Sequence, residues 1–341
     1  MGKLRVITRD NAAGLSRDLW IVADALRAQH RIVAVGMGRH RLRNLLRQVW
    51  SRVHCAARGR FDAQLSLERI YVPSLGCARR NLLMPNPEWF RAQWIPLLPR
   101  FERVLCKTRH AEAIFSGLGC ATVYTGLTSS DRLDPQVPRT RTFLHLAGRS
   151  FSKGTRVLLE TWRRHPQWPC LTVVQSARNA RPCAPAPNIV LHTGHLDDAA
   201  LQVLQNAHRF HLCPSEAEGF GHSIAEAMSV GAVVLTTDAA PMNELVTLEC
   251  GLLLEAGPGV PMGLALRHTI TPCAIEAVVQ RALQLDEAAC ARLGAAARQR
   301  FLERDAAFRT RLSAALADAV VPLPAGPCGE RGIASPGTVL P

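Results

Sequence analysis

RFHLCPSEAEGFGHSIAEAMSVGAVVLTT, residues 209–237, reads as a strand, a glycine-bearing loop, a helix and a second strand. RFHLCP and AVVLTT are short apolar runs, the mark of strands buried on both faces, and a helix between two such strands makes them parallel members of one sheet. In an open parallel sheet ligands bind beyond the carboxyl ends of the strands, which is where SEAEGFG falls. Gly219 and Gly221 let backbone N–H groups approach a ligand with no Cβ in the way, and the helix start just beyond favours an anion. Glu218 and Glu226 lie eight positions apart. Glu226, in the first turn or so of the helix, faces the same cleft, where a carboxylate accepts hydrogen bonds from both hydroxyls of a ribose. Glu218, on the loop, reaches further along the ligand. A turn followed by a helix with a solvated Glu has the same spacing, so the spacing alone leaves both readings open.

The alternation continues on either side. Strand TFLHLAG, helix GTRVLLETWRRH, strands CLTVVQ and NIVLHTG and helix DDAALQVLQNAH come before it, and helices at about 273–319 follow. HLAGRSFSKGT (145–155) again ends a strand and opens a helix, and offers Gly148, Arg149 and Lys153 at the equivalent edge. Two cations at one strand end suit a diphosphate, whose charge must be neutralised as the bond to it breaks; a charged helix entrance is the plainer alternative. The first half opens as LRVIT (4–8), loop DNAAG, a helix from about Ser16 to Arg27 and strand RIVAVGM. Further strands are expected at ERIYV (68–72), NLLMP (81–85) and RVLCK (103–107), and a helix at HAEAIFSGLG stopping on Gly119. The polar segment 129–140 holds two prolines and separates the halves. The expected fold class is α/β: two doubly wound Rossmann-like domains facing a cleft. The divisions are 1–130, a linker at 131–140, 141–305, a C-terminal helix at 306–320, and a disordered tail at 321–341 with five Pro and four Gly.

At 341 residues the chain has the length of two domains, and no apolar run approaches the roughly 20 residues that span a bilayer. The opening MGKLRVITRDN lacks an export pattern, so a cytoplasmic location is expected. Eleven cysteines, an odd number without any CxxC, read as reduced core residues rather than a disulfide frame or zinc site. Charge divides sharply: residues 1–140 carry 23 Lys and Arg against 10 Asp and Glu, whereas residues 141–341 carry 18 against 17. Lysine occurs only at positions 3, 107 and 153. Within GRHRLRNLLRQVWSRVHCAARGR (38–60), Leu42, Leu45, Leu46, Val49, Trp50 and Val53 share one helical face and Arg39, Arg41, Arg43, Arg47 and Arg52 are spread over the rest. Such a helix either lies on an anionic membrane surface or packs into the core with a solvated arginine face. The basic half is also a possible nucleic-acid surface, but only two Tyr and no nucleic-acid motif argue against it.

GR followed by KG, then PSEAEGFGHSIAEAMSVGAVVLTTDAAPMNELV, resembles the retaining, GT-B-fold glycosyltransferases of the "glycosyl transferases group 1" family, with an E-x7-E signature at Glu218 and Glu226. The likeness extends over about 100–255, including KTRHAEAIFSGLGCATVYTG, and weakly over the first βαβ unit. It implies transfer of a sugar from a UDP or GDP donor, with no cofactor beyond that co-substrate and no metal, to a carbohydrate or lipid-linked acceptor. Envelope polysaccharide, lipopolysaccharide or glycolipid synthesis would be the setting, with peripheral attachment to the inner face of a membrane. By this resemblance Glu226 holds the ribose, and Arg149 and Lys153 the diphosphate. Glu218 with the Gly219–Gly221 backbone holds the sugar, and Gly148, Phe220, His222 and Ser223 complete the donor side. On the acceptor side the family pattern departs: the first loop has only Gly14, and the strand end reads MPNPEWF, with Asn86 and Glu88 in place of a histidine. His110, at a helix start, is the nearest histidine in sequence. A nucleotide-sugar epimerase, a phosphorylase and a nucleotide-sugar binder without turnover remain the alternatives.

Overall fold

A computed structural model describes residues 3–9, 17–38, 41–148, 150–178, 180 and 184–320. The first domain is built from β1 (Lys3–Arg9), α1 (Arg17–Leu26), β2 (Arg31–Met37), α2 (Arg41–Arg58), β3 (Phe61–Glu68), β4 (Ala78–Pro85), β5 (Arg103–Cys106), α3 (Arg109–Gly117) and β6 (Thr122–Tyr124). Its strands form a parallel sheet in the order β2-β1-β3-β4-β5-β6. The second domain contains β7 (Thr140–Gly148), α4 (Thr155–Arg163), β8 (Leu171–Gln175), β9 (Ile189–Thr193), α5 (Asp198–Ala207), β10 (His208–Cys213), α6 (His222–Ser229), β11 (Val233–Thr237), α7 (Met242–Leu245) and β12 (Gly251–Leu254). Its sheet, again parallel, runs β12-β11-β10-β7-β8-β9. A hairpin of β13 (Gly259–Met262) and β14 (Ala265–His268) and helices α8 (Pro272–Gln284) and α9 (Glu287–Val320) complete it. These are the two doubly wound Rossmann-like domains of the GT-B fold. In the second sheet the strand order reverses between β7 and β10, which puts a ligand crevice at their carboxyl ends.

The second core centres on aromatic rings: Phe143 stacks on Phe210 at 4.7 Å between centroids and meets Trp162 edge-on at 4.9 Å. A further cluster joins Leu4, Val6 and Leu19 of the first domain to Ile224 and Met228 of α6, and to Phe308, Leu312 and Leu316 of α9. Helix α9 runs unbroken through residue 305, so its last turns lie against the first domain, where Arg309 pairs with Asp24 at 3.0 Å. All nine cysteines among the described residues are free, six of them buried, as core thiols would be.

Two expectations fail. The strand placed at 68–72 lies instead at Phe61–Glu68, and Val72–Cys77 forms a 3-10 helix opened by Pro73. Proline lacks the amide that a ladder needs, and the true strand is disguised by two buried polar residues, Gln64 and Ser66. Gln64 is accommodated by Ser74 Oγ at 3.3 Å. The core-packing alternative for the basic helix also fails. Leu42, Leu45, Leu46, Val49, Trp50 and Val53 of α2 are each at least 52 % exposed. No helix among the described residues is long and apolar enough to cross a membrane. The loop 10–14 and the tail 321–341 lie outside the described residues.

Candidate functional site

The β7 and β10 strand ends meet closely. Gly154, in the turn before α4, has φ +67°, and a Cβ there would come within 2.3 Å of the Pro214 carbonyl oxygen, so only glycine lets the two loops approach. This contact holds Lys153 over the loop that follows β10. Its ammonium donates to Glu218 Oε1 and, at 3.1 Å, to Ser223 Oγ, while Ser215 Oγ donates to the same Glu218 oxygen at 2.6 Å. Both ends of the pair are mostly enclosed, with side-chain exposures of 13 % and 12 %. Low exposure leaves the pair little competition from water.

Glu226 occupies the fifth position of α6 and is 3 % exposed. Its carboxylate accepts from Arg17 Nη1 at the start of α1, from Ser129 Oγ at 3.2 Å and from Gln205 Nε2 at 2.9 Å. His222, one turn earlier, has Nδ1 3.1 Å from the same Ser129 hydroxyl and Nε2 2.7 Å from Asp18 Oδ1. Asp18 in turn accepts from the buried Lys107 ammonium, which also donates to Asn86 Oδ1 at 2.6 Å. One polar chain therefore crosses from Asn86, just after β4, through Lys107, Asp18, His222 and Ser129, to Glu226 in the second domain. Although burial pushes Asp18 upward, Lys107 and His222 beside it hold its carboxyl well below the usual range.

The first domain presses on the loop that follows β10 through the segment after β4. A Cβ on Gly219 would lie 2.6 Å from Glu88 Oε1 and 2.8 Å from Asn86 Cγ, so the second domain presents bare backbone to those two side chains. The β13–β14 hairpin grips the same segment, with Leu264 N donating to Pro87 O at 2.8 Å. Glu88 is 5 % exposed and its Oε2 is buried without a hydrogen-bond partner among the described residues. Burial raises its carboxyl to about 7, with Lys107 opposing and Glu218 reinforcing the rise. The folded pKa thus exceeds the ordinary 4.5, so the native state binds the extra proton, and stability falls as pH rises through this window. Relative to Glu88→Gln, wild type should lose on the order of 3 kcal/mol between about pH 4.5 and pH 8. Urea unfolding of both proteins at pH 5 and pH 8 checks this; parallel losses would remove Glu88 as the cause.

His110 is not part of this cluster. The backbone N–H groups of Arg109 and His110 both donate, at 2.7 Å, to the Glu244 carboxylate of α7, an anion seated on the amino end of α3. The ring Nε2 of His110 is buried without a hydrogen-bond partner among the described residues, and burial lowers the ring's pKa, with Glu244 pulling the other way. Phe220 points into the core, 4 % exposed, and leaves its backbone to the loop surface. Gly148 closes β7 with φ +57°. Arg149 and Gly14 lie outside the described residues. Sequence reading missed Arg17, Asp18, Lys107, Ser129 and Gln205. Lys107 had a signal, being one of three lysines and standing directly after an apolar strand. Among the described residues no group of three or more His, Cys, Asp or Glu side chains converges as a metal ion would need.

Comparison with known proteins bears on the same segment. Residues 141–266 match the family model described as "Glycosyl transferases group 1". Sucrose-phosphate synthase from Thermosynechococcus elongatus superposes with a TM-score of 0.71 at 14 % identity, covering 93 % of this chain and 99 % of that one. Anabaena Alr3699/HepE, solved in complex with UDP and glucose, gives 0.70 at 14 % identity over 93 % and 100 %. A glycosyltransferase from Rickettsia africae gives 0.66 at 12 % identity over 93 % and 97 %. At these identities the likeness shows the GT-B fold alone. No curated protein matches the chain in sequence.

Proposed function

We propose that the chain is a retaining glycosyltransferase that moves a sugar from a UDP or GDP donor to an acceptor hydroxyl on a carbohydrate or lipid-linked molecule. The observation that carries this reading is the Lys153–Glu218 pair at the carboxyl ends of β7 and β10, with buried Glu226 behind it, inside the segment that matches the glycosyltransferase family. A fold neighbour solved with UDP and glucose supports a nucleotide sugar as the donor.

On this reading Glu226 accepts hydrogen bonds from the ribose hydroxyls. Arg17, 45 % exposed on its side chain, is able to swing from Glu226 to the arriving diphosphate, and Lys153 turns from Glu218 to the same group. Arg149 adds a third cation. Glu218 then orients the sugar together with the bare backbone of Gly219–Gly221. The acceptor oxygen attacks the anomeric carbon from the face the diphosphate leaves. The C–O bond to phosphate breaks, its electron pair stays on the diphosphate, and the hydroxyl proton passes to the departing phosphate oxygen. The arginine and lysine side chains neutralise that charge, so the reaction asks for no metal or cofactor.

Lys153→Ala should weaken nucleoside diphosphate binding ten- to a hundred-fold, since one charge-assisted hydrogen bond contributes roughly 1.5–3 kcal/mol. Calorimetric titration with UDP and GDP measures it, and an unchanged affinity would remove Lys153 from the site. Donor consumption that depends on an acceptor, with the product's anomeric configuration read by NMR, tests transfer and retention together; inversion or acceptor-independent turnover would overturn the assignment.

A further inference from the structure

Helix α2 and edge strand β2 enclose a groove at the other end of the first sheet from the donor site. One end is a pocket of about 350 Å³ bordered by Lys3, Arg5, Arg31 and Arg60, with Trp50 at its rim. Through Val35, Trp50 and Ser51 it continues into a wider groove of about 760 Å³, lined by Leu46, Val49 and Val53. Lys3, Arg5 and Arg31 lie in the amino-terminal halves of their strands, whereas the interdomain cleft faces the carboxyl ends.

Arg5 is the informative residue. It is 2 % exposed, its Nη2 donates to Ser51 Oγ at 3.1 Å, and its Nη1 is buried with no hydrogen-bond partner among the described residues. Among the described residues no carboxylate pairs with its guanidinium or with the side chains of Lys3, Arg31 or Arg60. The Phe61 ring, 5.8 Å away, and the Ser51 hydroxyl face it, but neither carries a charge; a buried guanidinium without a counter-ion is costly, and an anion in the pocket relieves that cost. Beside it runs a row of exposed apolar side chains on α2 that no part of the described chain covers. Isolated charge would fit many anions, and an isolated apolar stripe many proteins. Four cations opening into an apolar groove fit a molecule with an anionic head and a hydrocarbon chain.

We propose that this groove binds an anionic membrane lipid, with the phosphate of its headgroup against Arg5, Arg31 and Arg60 and its acyl chain along Val49, Trp50 and Val53. Binding seats the exposed face of α2 on the leaflet. The concentration of charge in residues 1–140, 23 basic against 10 acidic, complements such a surface. The site gives the proposed transferase a way to meet a lipid-linked acceptor, but its evidence is separate from the donor site.

The test is sedimentation with phosphatidylcholine vesicles, with and without 30 % phosphatidylglycerol, for wild type, Arg5→Gln, the double variant Arg31→Glu/Arg60→Glu, and Trp50→Glu. The last two alter exposed positions and keep the experiment decisive if Arg5→Gln fails to fold. Partitioning should rise at least tenfold with the anionic lipid and fall at least tenfold in the double variant and in Trp50→Glu. Calorimetric nucleotide binding should be the same in those two variants as in wild type, so failure of the lipid site and failure of the donor reading give different results. Quenching by brominated lipid should be lost in Trp50→Phe. Equal sedimentation with both vesicles, or no change in the double variant, would overturn the proposal. Occupation of the pocket by inorganic phosphate without vesicle binding would assign it to a free anion. Displacement from vesicles by a single-stranded oligonucleotide that binds more tightly would assign the charge to nucleic acid.

Discussion

Lys107→Ala is expected to cost about 3–5 kcal/mol of stability, the range for breaking a buried ion pair by removing one partner. The Lys107 side chain is 2 % exposed and that of Asp18 is 7 % exposed, so the remaining carboxylate keeps His222 Nε2 at 2.7 Å but has little water to replace the lost cation. The loss also removes the donor to Asn86 and a cation that eases ionisation of Glu88, leaving that carboxyl still harder to ionise. Replacing both partners, as in Asp18→Asn with Lys107→Met, should cost clearly less than Lys107→Ala alone, because no buried charge is then stranded. Urea denaturation of the single and double variants separates these cases. The pH dependence provides a second check. Asp18 has a lowered pKa, so its contribution is complete above about pH 4 and is lost only as pH falls further. Lys107, raised by Asp18 and Glu68 against the effect of burial, loses its contribution only above its ordinary 10.5. The pair is therefore silent between pH 5 and pH 8, where Glu88 changes charge. A single-variant cost near zero would mean that water reaches the pair.

With Glu226 as the proposed ribose ligand, Glu226→Ala is the second large expected effect, on binding rather than folding. Two hydrogen bonds from a ribose to one carboxylate, at roughly 1.5 kcal/mol or more each, put the expected loss of donor affinity on the order of 10²- to 10³-fold. The fold should tolerate the change. Arg17 is half-exposed and can be rehydrated, and Gln205 keeps its bond from Arg132 Nε at 2.8 Å. Calorimetry with the nucleotide that binds wild type gives the number, and thermal unfolding of the same samples shows whether the fold survived. Affinity within threefold of wild type in a folded variant would exclude Glu226 as the ribose ligand.

The alternation of apolar runs with helical segments was enough to read both domains, because strands such as β8, β10 and β11 are buried over nearly their whole length and keep an apolar run, Val173–Val174, Leu212–Cys213 and Val233–Leu235, beside the polar residues they carry. β3 escaped because Gln64 and Ser66 stand in its interior, and the short β6, β12 and hairpin strands are too brief for periodicity to register. The E-x7-E spacing pointed to Glu218 and Glu226, and the strand-end argument to Lys153. Their partners were out of reach for a physical reason. Lys153 meets Glu218 across 65 residues, Lys107 meets Asp18 across 89, and Arg17 meets Glu226 across 209. Such pairs depend on strand order and on how the two domains face each other, which local patterns do not encode. Amphipathicity revealed the face of α2, but only the fold shows that none of the described residues covers it.

The most direct test of the account is hydrogen exchange on wild-type protein with and without a saturating nucleoside diphosphate sugar, chosen by titrating UDP and GDP forms. The account predicts slowed exchange in peptides covering 150–160 and 213–229, where Lys153, Glu218 and Glu226 reside, with α2 unchanged. Protection confined to α2 and β2, or no protection with any donor of the panel, would contradict it.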